Sequence, residues 1–269
     1  MNKYFELIRI ENEAIALIGF IVSMFVARGN VSANWSTVIL GCAIVIFFIA
    51  GGNSLNDYVD REVDKVAHPN RPLPSGRISP RIALGLGVTC LTLSCALSVF
   101  QHNISSMLIV VIATVIITLY EIFLKQRGFI GNVSIAILTG MIFLLGGSIV
   151  GNIEGVLEVA GMATVATIGR EVTKDIEDVK GDKGRRTLPM LIGRECAGRV
   201  AALFYMIGIS LSVVPTVIGT LNSMYMFILV ADAIFIYAAV TSATDPHMSQ
   251  KSAKIAMVVS LVAFLLGVV

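Results

Sequence analysis

Nine stretches of this 269-residue chain are apolar for long enough to cross a bilayer: 13–27, 36–52, 82–100, 104–120, 130–150, 156–170, 198–220, 224–242 and 253–269. Inside about 30 Å of hydrocarbon every backbone N–H and C=O must find its partner within the protein, so runs of this length fold as helices. Composition agrees: 56% of the residues are hydrophobic and 14% charged, against about 25% charged in an ordinary water-soluble domain, and the mean hydropathy is +0.85. The expectation is an all-α integral membrane protein, a single domain over 1–269 with nine transmembrane helices bundled around a central apolar cavity. The sixth stretch is the most polar of the set, because Glu158 lies inside it.

Lys and Arg are retained on the cytoplasmic side of short loops. Of the 20 basic residues, 19 fall at the N-terminus or in the 2–3, 4–5, 6–7 and 8–9 connections, and Arg28 alone falls on the other side. That asymmetry predicts a multi-pass protein of the cell membrane with its N-terminus in the cytoplasm and, after nine crossings, its C-terminus outside. The net charge of +2 averages two unlike faces and carries no footprint of a nucleic-acid partner. The cysteines Cys42, Cys90, Cys95 and Cys196 have no metal-ligand spacing and read as small buried hydrophobes.

Two charged boxes interrupt this pattern. "NDYVDREVD" (56–64) follows the second apolar run, and "KDIEDVKGD" (174–182) follows the sixth. Asp57, Asp60 and Asp64 recur 118 residues later as Asp175, Asp178 and Asp182, with Asn53 aligned to Glu171 and Asn56 to Lys174. At 3.6 residues per turn each set falls within about a 60° arc, so each box is one acidic stripe if its helix continues past the apolar run. Four spans separate the boxes, which returns both to the cytoplasmic side. Each precedes a basic, turn-forming segment, "RPLPSGR" (71–77) and "GRRTLPMLIGR" (184–194), a weak internal duplication. Cap loops are expected at about 61–81 and 171–197.

A single acidic cluster at a membrane boundary is ordinarily a solvated cap. Two in matched register, on helices that converge, place six carboxylates where they repel unless positive charge lies between them. Mg²⁺ is suited to that position, since it takes a few carboxylates and keeps open positions for phosphate oxygens. Metal held at the mouth of an apolar bundle fits a ligand with a diphosphate head and a hydrocarbon tail. Its chemistry is ionisation at the allylic carbon, with charge on the departing diphosphate neutralised and the carbocation kept from water.

These motifs resemble those of the UbiA superfamily of intramembrane prenyltransferases, N-D-x-x-D-x-x-x-D in the first box and D-x-x-D-x-x-x-D in the second, over nearly the whole chain. The resemblance implies that Asn53, Asp57, Asp60, Asp64, Asp175, Asp178 and Asp182 bind Mg²⁺, two ions, and the diphosphate of a prenyl donor, with the following loops closing over the site. Within the superfamily "GREVTKDIEDVKGDKGRRTLPMLIG" (169–193) is most similar to an archaeal branch that transfers a geranylgeranyl group to the hydroxyl of geranylgeranylglyceryl phosphate. That implies a lipid-like phosphorylated acceptor, for which Arg170, Lys174, Lys180, Arg185 and Arg186 offer cations; ordinary positive-inside loop charge is the other reading of each.

Tyr120 and Lys125, in "LYEIFLKQR", resemble the family's Tyr/Lys element: Lys125 to clamp diphosphate, Tyr120 to steady a cation through its ring face. An interfacial Tyr and a snorkelling Lys are the alternative. Arg9 and Asn12, and Arg71 and Arg77 around Pro72 and Pro74, are candidate substrate-binding residues. Asp232 interrupts the eighth span and is expected to face the bundle interior. Gly140, Gly146, Gly147 and Gly151 suit close helix packing in span five. Donor and acceptor tails predict a chamber open sideways to membrane lipid, because each CH₂ exposed to water costs roughly 0.8 kcal/mol. Competing readings are prenylation of an aromatic acid in quinone synthesis, an ion-coupled transporter, and a non-catalytic assembly subunit.

Overall fold

The computed structural model describes residues 3–28, 34–179 and 186–268, without the side chains of residues 10–13, 28 and 67. Among the described residues the chain is all-helical, with no strand. In order the helices are α1 (Lys3–Ile8), α2 (Ile10–Arg28), α3 (Trp35–Ala67), α4 (Pro80–Val99), α5 (Ile104–Ile122), α6 (Phe129–Ile149), α7 (Leu157–Asp178), α8 (Leu188–Ile192), α9 (Arg194–Ser212), α10 (Val214–Ile218), α11 (Ile228–Thr241) and α12 (Pro246–Val268). Polar residues set the starts of several: Asn34, Ser79 and Asn103 each accept a hydrogen bond from a backbone N–H in the first turn, and Pro80 follows Ser79 where a missing N–H costs nothing.

Seven of the helices are long and apolar enough to cross a membrane: Trp35–Val66, Pro80–Val99, Ile104–Ile122, Phe129–Ile149, Arg194–Ile218, Ser223–Thr241 and Pro246–Val268. The first and sixth of the nine expected stretches fall short for separate reasons. Ala14–Ala27 is a shorter apolar helix. α7 carries the first part of the second box, Lys174–Asp178, within its own length, which dilutes its hydropathy. Large apolar side chains point outward from the bundle, among them Val88, Leu108, Val115, Val217 and Val240, as lipid-facing surfaces require. This is a multi-pass membrane protein.

Small residues bring the helices together. A Cβ on Gly51 would meet the Leu91 backbone nitrogen at 2.9 Å and the Gly87 carbonyl at 3.0 Å, so α3 and α4 touch backbone to backbone. Gly169, again 118 residues on, holds the same place in the α7–α9 pair, against Tyr205 and the Ala201 carbonyl. The internal repeat seen in the boxes thus extends to the helix contacts beneath them. On α6, Gly140 meets Thr164 of α7 and Gly146 meets Ser23 and the Phe20 carbonyl of α2. Cys42, Cys90 and Cys95 are half-buried rather than buried, and Cys196, at the third position of α9, is exposed.

Helix replaces part of each expected cap loop. α3 runs on to Ala67, leaving 68–79 between it and α4, and α7 runs on to Asp178. The 68–79 loop is bound to the N-terminus: Leu7, Leu73, Ile78 and Ala83 form a buried cluster, Arg77 donates to both Glu6 carboxylate oxygens at 2.7 and 2.8 Å, and Lys3 donates to the Arg77 carbonyl. Those hydrogen bonds hold the Glu6 carboxyl below its usual value. A depressed carboxylate stabilises above its unfolded-state pKa and ceases to as pH falls through the folded-state value. The protection of the 68–79 amides, taken relative to their intrinsic exchange rates at each pH, should therefore fall on acidification through that window, and Arg77→Ala should remove that change in protection.

Candidate active site

The uninterrupted length of α3 carries the first box on one helix face. Asp57 is buried, 2% exposed, and accepts a hydrogen bond from Arg9 at 2.7 Å; the same guanidinium nitrogen donates to the Asn56 side-chain oxygen at 3.0 Å. Arg9 separates α1 from α2 with φ +56°, a left-handed conformation that costs a non-glycine residue about 1–3 kcal/mol and persists only where surroundings impose it. Two contacts impose it here: the Asp57 pair, and the Asn53 side-chain amide, which donates to the Ile8 carbonyl at 2.6 Å and so satisfies the end of α1.

Lys125, in the turn after α5, has a side chain only 8% exposed and pairs with Asp60 and, at 3.0 Å, with Glu121. Glu121 is itself buried and accepts from the Asn56 amide at 3.0 and 3.2 Å. Arg9, Asn56, Glu121, Lys125 and Asp60 thus form one hydrogen-bonded chain that links the α1–α2 junction, α3, α5 and the turn after α5. The Lys125 ammonium stands 5.9 Å from the centre of the Tyr120 ring. Further along α3, Asp64 is buried and paired with Arg71 at 2.7 Å.

The second box is joined to the first through the segment between α5 and α6. Lys125 reaches the first box, and Asn132, one turn into α6, donates to Asp175 at 2.8 Å. Both boxes therefore lie at one end of the bundle. Gly128 makes the path possible: its φ is +58° and a Cβ there would lie 2.4 Å from the Arg186 carbonyl. On α7, Glu171 sits between Arg170 at 3.5 Å and Lys174 at 3.6 Å. Asp178 is exposed, as is Arg186, whose backbone N–H donates to the Gln126 carbonyl. Asp182, Lys180, Arg185 and the side chain of Asn12 lie outside the described residues.

Between the boxes opens a cavity of about 420 Å³. At its mouth stand Arg9, Asn53, Asn56, Tyr120, Glu121, Arg170, Glu171, Lys174 and Lys254; below them the walls are apolar, with Phe48, Ile117, Leu138, Phe143, Met162, Phe235 and Phe264. Asp232 faces this interior, as its place in a span requires, and accepts from Ser212 at 2.8 Å. Arg71 and Arg77 are not among the lining residues: Arg71 is engaged with Asp64, and Arg77 stitches the 68–79 loop to α1.

Among the described residues no three His, Cys, Asp or Glu side chains stand close enough together to hold a metal ion. The charge that relieves the crowding of the carboxylates is supplied by Arg9, Lys125 and Arg71, with Asn132 donating to Asp175. The donor set is oxygen throughout, which fits a hard divalent cation in kind. Sequence reasoning gave no role to Glu121, Asn56, Asn132 or Lys254. The one legible signal was Glu121 itself, a carboxylate in the otherwise apolar run 104–122 and four residues before Lys125.

Comparison with known proteins bears on this arrangement. Residues 16–267 match the model of the UbiA prenyltransferase family. The chain is 34% identical to the digeranylgeranylglyceryl phosphate synthase of Methanosphaera stadtmanae, over 99% of each chain, and 37% identical to that of Thermococcus kodakarensis, over 99% of this chain and 98% of the relative. A solved structure of a digeranylgeranylglyceryl phosphate synthase superposes with a TM-score of 0.82 at 32% identity, covering 99% of this chain and 97% of the other. A UbiA homolog from Archaeoglobus fulgidus bound to DMAPP and Mg²⁺ has the same fold, with a TM-score of 0.72 at 19% identity over 98% of each chain. With a family match over most of its length and relatives above 30% identity over nearly all of it, the chain belongs to the UbiA prenyltransferase family.

Proposed function

We propose that the protein transfers a geranylgeranyl group from geranylgeranyl diphosphate to the hydroxyl of geranylgeranylglyceryl phosphate, a step of archaeal ether-lipid synthesis. The bond between the allylic carbon and the bridging oxygen breaks, diphosphate departs with the electron pair, the acceptor oxygen bonds to the allylic carbon, and its proton is released. The observation that carries this reading is a ring of cations and carboxylates at the mouth of a cavity whose walls are apolar. Relatives named digeranylgeranylglyceryl phosphate synthase that match over nearly their full length support it.

In this reading the nine apolar stretches all span the cell membrane, with the boxes facing the cytoplasm. Asn53, Asp57, Asp60, Asp64, Asp175, Asp178 and Asp182 hold Mg²⁺, two ions, which when bound neutralise charge developing on the diphosphate. Lys125 and Arg9, now held by Asp60 and Asp57, are within reach of a diphosphate and contribute the protein's own charge stabilisation. Tyr120 presents a ring face to the cationic carbon. The apolar walls hold the tails and keep water from the carbocation. Both tails enter and leave through membrane lipid. Family membership leaves the carrier reading without support.

The test is to incubate purified protein with Mg²⁺ and geranylgeranyl diphosphate, offering geranylgeranylglyceryl phosphate and 4-hydroxybenzoate as separate acceptors. The expected result is one diphosphate released per digeranylgeranylglyceryl phosphate formed, with chelation of the metal stopping both. Product with 4-hydroxybenzoate alone would transfer the assignment to aromatic prenylation.

A further inference from the structure

Lys254 lies in α12 eight residues from its start, at the second position of the apolar stretch 253–269. It lines the cavity, and among the described residues it makes no ion pair or hydrogen bond. A cation turned toward an apolar cavity at the edge of a span is retained where it meets a counter-charge or a ligand.

Its height in the bundle follows from how α12 packs on α7. His247 and Gln250 both bond Glu177, Ala253 and Ala256 share a buried cluster with Ile168 and Ile176, and Leu261 and Phe264 share another with Val159 and Met162. The two helices are antiparallel, and Lys254 comes level with 170–174 of α7. Arg170, Lys174 and Lys254 therefore ring one section of the wall, with Glu171 the carboxylate among them. Three cations against one carboxylate leave an excess of about two positive charges, and a phosphomonoester carries about −1.5 to −2 near neutral pH. The α3–α5 side differs: there Arg9 and Lys125 are already engaged by Asp57, Asp60 and Glu121.

We propose that Lys254, together with Arg170 and Lys174, binds the phosphate of the acceptor, on the wall formed by α7 and α12 and apart from the donor diphosphate. The inference rests on the prenyl-transfer reading above and adds to it where each anion sits. A lysine drawn up to the membrane surface by its flexible stem, without a ligand, is the alternative it excludes.

The experiment compares geranylgeranylglyceryl phosphate with its dephosphorylated alcohol as acceptors, using the full chain with Mg²⁺ and geranylgeranyl diphosphate. Lys254→Met removes the charge and leaves an apolar side chain in the span; Lys254→Gln is a second uncharged variant should packing be disturbed. Losing one charge-assisted contact should raise the apparent KM for the phosphorylated acceptor about tenfold or more, with donor KM held within about twofold. The preference for the phosphorylated acceptor over the alcohol should fall by the same factor, and Lys254→Arg should restore most of it. An unchanged preference in both uncharged variants overturns the proposal, as does an equal rise in donor KM, which would assign Lys254 to the diphosphate. A wild-type protein that consumes donor without alkylating either glycerol acceptor overturns the prenyl-transfer reading itself, and this proposal with it.

Discussion

Asp57→Asn and Asp175→Asn should each lower kcat by about 10²–10³-fold, the scale of removing one electrostatic element aimed at developing charge, while leaving the fold intact. The substitution keeps shape and one carbonyl oxygen. Arg9 can still donate to residue 57 and Asn132 to residue 175, so neither local structure loses its partner. What is lost is the negative charge that holds Mg²⁺ in the proposed mechanism. Steady-state rates, metal content and the thermal midpoint, measured on the same preparations, decide the matter. A near-normal rate with unchanged metal content in either variant would sink the metal assignment.

Lys125→Met should act on stability and turnover together. The Lys125 ammonium lies between Asp60 and Glu121, whose side chains are 15% and 2% exposed. Removing it leaves two carboxylates short of their cation, and breaking a buried pair in this way costs about 3–5 kcal/mol. Adding Glu121→Gln should recover part of that loss, because a neutral amide still accepts from Asn56 and no longer needs a counter-ion. Turnover should stay low in the double variant, since the diphosphate still lacks the lysine. The coupling is read from a thermal-midpoint cycle over the four proteins. Recovery of activity alongside stability would reduce Lys125 to a structural role.

The parts of this site that were legible in the sequence are those fixed by spacing along one chain segment. Asp57, Asp60 and Asp64 share a face because α3 does not stop at the end of its apolar run, and Gly51 and Gly169 show that the 118-residue repeat extends to packing. Asp232 faces inward as hydrocarbon demands. The arrangement that neutralises the boxes was not legible, because it is made across the fold: Arg9 is 48 residues from Asp57, and Lys125 is 65 from Asp60. Charge repulsion alone signals that a cation must be near, and it does not distinguish a metal ion from a guanidinium borrowed from another helix. The same limit applied to Lys254, whose position opposite Arg170 depends on the register of α12 against α7. For the first and sixth spans the difficulty is different. α7 carries charged site residues within its length, so its composition is mixed and any hydropathy average over it is lowered.

The left-handed turn at Arg9 also has a practical bearing on how the protein should be handled. The residues ahead of it are built into the site: Leu7 is fully buried, the Ile8 carbonyl is held by Asn53, and Glu6 anchors the loop over the first box. Trimming the first nine residues would remove the cation that faces Asp57, along with the floor on which the 68–79 loop rests. An affinity tag fused at this end belongs behind a flexible spacer, and a loss of activity in an N-terminally shortened protein should be read as damage to the reaction centre.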